Sequence, residues 1–70
     1  MPQLAVDMFG ANLRRVRCQQ GYTQQELSVM SGIHVSAISN YECNRAVPTI
    51  DSLLRCVSAL QVQCEDLLRV

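Results

Sequence analysis

Gln24-Gln25-Glu26-Leu27-Ser28-Val29-Met30-Ser31-Gly32-Ile33-His34-Val35-Ser36-Ala37-Ile38-Ser39-Asn40-Tyr41-Glu42-Cys43 is the stretch on which the fold turns. It reads as two short helices meeting at Gly32. Thr23 precedes it as an N-cap with Glu26 three residues on, the pattern of a capping box. Tyr22 and Leu27 stand at the hydrophobic staple positions around that cap. The first helix is predicted over 24–31, and Gly32 ends it because glycine enters the left-handed conformation freely. The second is predicted from His34 or Val35 to Cys43. Helices joined this tightly need a small residue at their crossing, which Ser28 supplies. They also need apolar anchors, which Leu27, Ile33, Ile38 and Tyr41 supply. This is a helix-turn-helix arrangement.

At about 100° per residue, Ile38 lies at the centre of the inner side of the second helix, with Tyr41 and His34 within about one turn-width of it. Ser36, Ser39, Asn40 and Cys43 fall opposite, with Val35 at the edge. The outer face therefore carries small hydrogen-bonding groups. Such a face can lie against base edges in a major groove: serine pairs with several bases, asparagine suits adenine, and valine methyls can meet a thymine methyl. Glu42 falls about 40° from Ile38, where a carboxylate needs a partner.

Working outward, the matching text continues on both sides. Phe9-Gly10, Leu13-Arg14, Val16-Arg17 and Gly21 through Leu27 precede the turn; Gly32-Ile33, Ile38-Ser39, Glu42, Pro48, Leu53-Leu54, Ala59-Leu60, Val62 and Leu67-Leu68 follow. Over residues 9 to 68 the chain resembles the lambda-type repressor and Cro family, also called the Xre type. The resemblance implies an all-α fold, a compact five-helix bundle that binds operator DNA, usually as a homodimer. It implies that Gln24 contacts a phosphate and that His34, Val35, Ser36, Ser39 and Asn40 face bases or nearby phosphates. Arg45 joins this DNA-binding set from the following loop. Arg17 and Glu42 match a family ion pair between the first helix and the recognition helix. Asn44 stands where relatives often have glycine, and asparagine tolerates the left-handed conformation. The loop Arg45-Ala46-Val47-Pro48 carries fewer cations than that of many relatives.

Seventy residues make one small domain, 1–70. No apolar run reaches the roughly 18 residues of a membrane span. Met1 to Asp7 lacks the basic start and long apolar run of a signal peptide, so a cytoplasmic protein is expected. Six arginines offset six Asp plus Glu, and lysine is absent. A basic patch is the ordinary footprint of nucleic-acid binding, so zero net charge predicts weak non-specific affinity with a shallow salt dependence. It also keeps a second reading open: a protein-interaction module of the same fold, antitoxin-like or partner-binding, with weak or no DNA binding.

Cys18, Cys43, Cys56 and Cys64 form no C-x-x-C pair, and one histidine accompanies them, so no metal site is expected. Cys56 reads as core. With no lysine, a single histidine and no phosphate loop or G-x-S-x-G elbow, neither an active site nor a cofactor is expected.

The first helix is predicted from an Asp7 N-cap to Gln19 or Gln20, with Phe9, Leu13 and Val16 inside and Asn12 and Arg15 outside. Thr49 should cap a fourth helix whose apolar stripe is Ile50, Leu53, Leu54, Val57 and Leu60, with Cys56 beside it. The last helix, 64–69, offers Leu67, Leu68 and Val70 as a dimer contact, one of them packing inward. A two-fold dimer would set two recognition helices about 34 Å apart on a palindrome.

Overall fold

Thr23 forms the cap expected of it, and the cap fixes where the central helix pair starts. In the computed structural model, which describes residues 6–70, the Thr23 hydroxyl accepts from Glu26 N–H at 3.0 Å and the Glu26 carboxylate accepts from Thr23 N–H at 2.9 Å. The signal-peptide reading of Met1 to Asp7 falls mostly on residues 1–5, which lie outside that range.

Among the described residues, five α-helices follow a 3-10 turn over Val6–Met8. They are α1 (Phe9–Gln19), α2 (Gln24–Ser31), α3 (Val35–Glu42), α4 (Ile50–Leu60) and α5 (Cys64–Leu68). Helix α1 packs on α3 and α5, while α2 packs on α3 and α4. Phe9, Leu13, Val16, Leu27, Ile33, Ile38, Tyr41, Cys56, Leu60 and Leu67 form one core. Phe9 and Tyr41 meet edge to face at 5.4 Å within it.

Gly32 takes φ 72° as the C-cap of α2. The turn after it is fixed from both sides: the Ser28 hydroxyl donates to the Ile33 carbonyl, and Ile33 N–H donates to the buried Ser31 hydroxyl at 3.2 Å. Ser28 is thus both the small residue and a partner for a turn carbonyl. At α4, the Thr49 hydroxyl accepts from Ser52 N–H at 3.1 Å.

Several expectations are corrected. Asp7 lies in the 3-10 turn and is not an N-cap; Met8 takes that position and its side chain makes no capping bond. Asn12 is inside, only 5% exposed, because its amide donates to the Arg69 carbonyl at 2.7 Å while its oxygen accepts from Arg15 at 3.0 Å. That bond helps end α5 at Leu68, one residue short of the expected end, with Arg69 extended.

Ile50 and Leu54 do not share the buried side of α4; they are 78% and 55% exposed. The inward set is Leu53, Cys56, Val57 and Leu60, and Ile50 and Leu54 fall about 70° and 110° from its centre. Leu67 is a core residue with no exposed surface, and so is the one of the three C-terminal apolar residues that packs inward. Leu68 is half-buried against the core, and Val70 is 64% exposed.

Candidate nucleic-acid interface

Helix α3 begins at a histidine cap. His34 Nδ1 accepts from Ser36 N–H at 3.1 Å and lies 2.8 Å from the Ser36 hydroxyl. Ile38 and Tyr41 anchor the helix in the core, and Ala37 packs beside them. On its other side Ser36, Asn40 and Cys43 are exposed, while Val35 and Ser39 are half-buried. The outer face thus presents one hydroxyl and one carboxamide to solvent at a spacing of four residues, about one helical turn. Asn44 follows at φ 58°, and Arg45 N–H closes the turn on the Asn40 carbonyl at 2.8 Å. The Arg45 side chain is exposed.

Behind that face lies a charged clamp. Arg17 on α1 donates through Nε to Glu42 Oε2 at 2.7 Å and through Nη2 to Glu42 Oε1 at 2.9 Å. Its Nη1 donates to the Tyr22 carbonyl at 2.8 Å. The side chains of Arg17 and Glu42 are 11% and 3% exposed. The bond from the carboxylate holds the guanidinium pKa above its ordinary value, against the lowering effect of burial. Gln24, first residue of α2, donates to Glu42 Oε1 at 3.0 Å. One carboxylate on α3 therefore holds α1 and the start of α2, while Arg17 also ties down the loop at Tyr22.

The close approach of α1 to α3 depends on Gly10. A Cβ there would run into the Tyr41 carbonyl oxygen and meet the Asn44 side chain at 2.8 Å. Sequence reasoning attached no role to Gly10. Its signal was available: a glycine inside a helix costs about 1 kcal/mol against alanine and so asks for a packing reason. The Gln24–Glu42 bond was also missed, since spacing alone does not reveal a contact between two helices.

Of the residues expected at DNA, the structure gathers His34, Val35, Ser36, Ser39 and Asn40 on or beside the outer side of α3, with Arg45 in the loop after it. Gln24 stands apart, half-buried with its amide on Glu42. Among the described residues no group of three or more His, Cys, Asp or Glu could hold a metal ion. None of the described helices is long and apolar enough to cross a membrane.

Known proteins share this geometry. A prophage-derived uncharacterized HTH-type transcriptional regulator of Bacillus subtilis is 32% identical over 62 residues, which are 89% of this chain and 57% of that protein. The chain thus spans little more than half the length of that relative. The restriction-modification controller protein C.AhdI from Aeromonas hydrophila superposes with a TM-score of 0.83 at 27% identity, covering 90% of this chain and 94% of that one. The N-terminal DNA binding domain of SinR from Bacillus subtilis gives a TM-score of 0.82 at 29% identity, over 87% and 90% of the two chains. Residues 13–67 match the helix-turn-helix family model, and with α2, Gly32 and α3 arranged as described the chain belongs to the helix-turn-helix family of the lambda-repressor and Cro, or Xre, type.

Proposed function

We propose that this chain is a DNA-binding transcriptional regulator, acting as a homodimer on a palindromic operator and repressing by occupancy that excludes polymerase. The observation that carries the reading is the outer face of α3, with Ser36 and Asn40 exposed on a helix whose other side is locked by Ile38, Tyr41 and Glu42. A rigid helix with short polar groups outward suits a major groove. In this reading Asn40 pairs with an adenine edge, Ser36 and Ser39 face other bases, and Val35 meets a thymine methyl. Gln24 keeps one amide hydrogen on Glu42 and offers the other to a phosphate. His34 and Arg45 flank the groove as further phosphate or base contacts. Leu68 and Val70 supply the self-association surface, in the sense in which Leu67 does not.

The relatives favour this reading, since they are regulators, a controller protein and a DNA binding domain by name. Zero net charge favours a second reading, an interaction module without strong DNA affinity. So do Val29 on α2, 76% exposed, and Ile50 on α4. Selection from a random duplex library at low and moderate salt separates the two. An enriched palindrome supports the dimeric regulator and gives the half-site spacing; no enrichment at either salt sinks it and leaves the interaction module.

A further inference from the structure

The histidine cap has a consequence for base choice, and it rests on the DNA-binding reading above. Nδ1 of His34 accepts the backbone N–H of Ser36, so it carries no proton. Ser36 Oγ lies 2.8 Å from that same nitrogen. An oxygen and an unprotonated nitrogen at that distance need a hydrogen between them, and the serine hydroxyl is the group that has one. The opposite tautomer, with the proton on Nδ1, could donate to Oγ but would leave the Ser36 N–H facing another hydrogen. That N–H is one of the unsatisfied donors of a helix N-terminus, so the arrangement in which both donors share the one Nδ1 lone pair is favoured.

A free serine donates or accepts and therefore tolerates several bases. Ser36 has its hydrogen turned inward to the imidazole and only lone pairs facing out. We propose that Ser36, set by His34, is a specificity-determining residue that reads a base amino group. Its partner is adenine N6 or cytosine N4, the two major-groove donors, and not guanine or thymine, whose major-groove edges carry acceptors at O6, N7 and O4. The same tautomer leaves His34 Nε2–H as an outward donor, suited to a neighbouring phosphate. His34 is here a positioning residue, acting on the base through the serine.

Two measurements test this. In the free protein, long-range nitrogen–proton correlation of the imidazole at pH 8 should find Nδ1 bare and Nε2 carrying the proton; a bare Nε2 overturns the proposal whatever DNA does. In library selection, Ser36→Ala should flatten one position in each half-site, and the parent should prefer A or C there by about fivefold to tenfold. His34→Ala, checked for folding by its melt, should admit G and T at that same position, because the hydroxyl is released. A parent preference for G or T there, a flattened position that His34→Ala does not broaden, or no flattened position at all overturns the proposal alone. If the parent enriches no sequence, the DNA-binding reading fails and this inference falls with it.

Discussion

Gly10 on α1 lies so close beneath Tyr41 on α3 that a methyl group at Gly10 would strike the Tyr41 carbonyl oxygen. Backbone meets backbone there, and neither side is the flexible end of a side chain. Gly10→Ala would gain about 1 kcal/mol in helix propensity. Overpacking costs about 1–3 kcal/mol, and more where the obstacle is backbone. The net outcome is a loss of stability despite the better helix former, read as a lower urea midpoint with an unchanged slope. A stabilised Gly10→Ala variant would mean that the two helices are further apart than described.

The Arg17–Glu42 pair differs from a surface salt bridge because both side chains are nearly out of water. Removing one partner strands the other charge, which costs about 3–5 kcal/mol. Glu42→Ala also releases Gln24, so the start of α2 loses a tie to α3. The expected result is a large drop in the thermal midpoint, persisting at high salt because buried pairs are little screened. A melt equal to the parent's would remove the clamp from the account of how α3 is held.

How much of this was legible in the sequence depends on the range of the interaction. Thr23, Glu26, Gly32 and Thr49 act within one turn of themselves, and the structure has each where local chemistry sets it. Residues whose environment comes from distant parts of the chain were misread. Asn12 looks like a surface residue until α5 brings the Arg69 carbonyl to it. Ile50 and Leu54 are as apolar as Leu53, but α2 and α5 cover only one side of α4. Leu67 and Val70 are alike in composition, and only the chain's path buries the first and exposes the second. On α3 one anchor, Ile38, sets the phase of a short helix, and the wheel separated inner from outer side chains except at His34, expected near the inner side and exposed, and Ser39, expected outside and half-buried. It could not show that Ser36 is bonded to His34 and Gln24 to Glu42.

Burial pushes the thiol of Cys56 up from 9.0 to about 11, with the negative charge of Glu42 adding to the effect. The folded-state value lies above the unfolded one. Its contribution to stability is therefore full below about pH 9 and is lost as pH rises through about 11. The loss should approach roughly 3 kcal/mol. Cys56→Ala should begin less stable at pH 8, from lost contacts, yet fall less steeply than the parent between pH 9 and 11. Parallel curves would show that Cys56 is not the titrating group. In the same protein a thiol reagent should modify the exposed Cys18 and Cys43 promptly and reach Cys56 only on unfolding.

Gln61 ends α4 in the left-handed region, φ 55° and ψ 48°, with its N–H on the Val57 carbonyl. A residue with a Cβ gives up roughly 1–2 kcal/mol in that conformation. Glycine avoids this but loses about 0.5–1 kcal/mol more backbone entropy on folding. Gln61→Gly should therefore stabilise by about 0.5–1 kcal/mol, and Gln61→Val should destabilise, since a branched side chain fits that region worst. Chemical denaturation of the three proteins orders them: glycine above parent above valine. The reverse order would place the end of α4 in a different conformation.

Asn40 is the exposed carboxamide at the centre of the α3 face, and its side chain takes no part in the Arg17–Glu42 clamp. Its carbonyl accepts from Arg45 N–H, a bond that alanine retains. Asn40→Ala should therefore leave the melt within about 0.5 kcal/mol of the parent. On an operator obtained by selection it should lose about 1–3 kcal/mol of affinity, and the loss should be concentrated on one adenine per half-site. Arg45→Ala makes the contrast. If Arg45 meets a phosphate, its loss weakens binding to all sequences alike and makes the salt dependence shallower by about one ion. Equal losses on matched and mismatched DNA for Asn40→Ala would mean that this residue touches the backbone and that the base-reading face of α3 lies elsewhere.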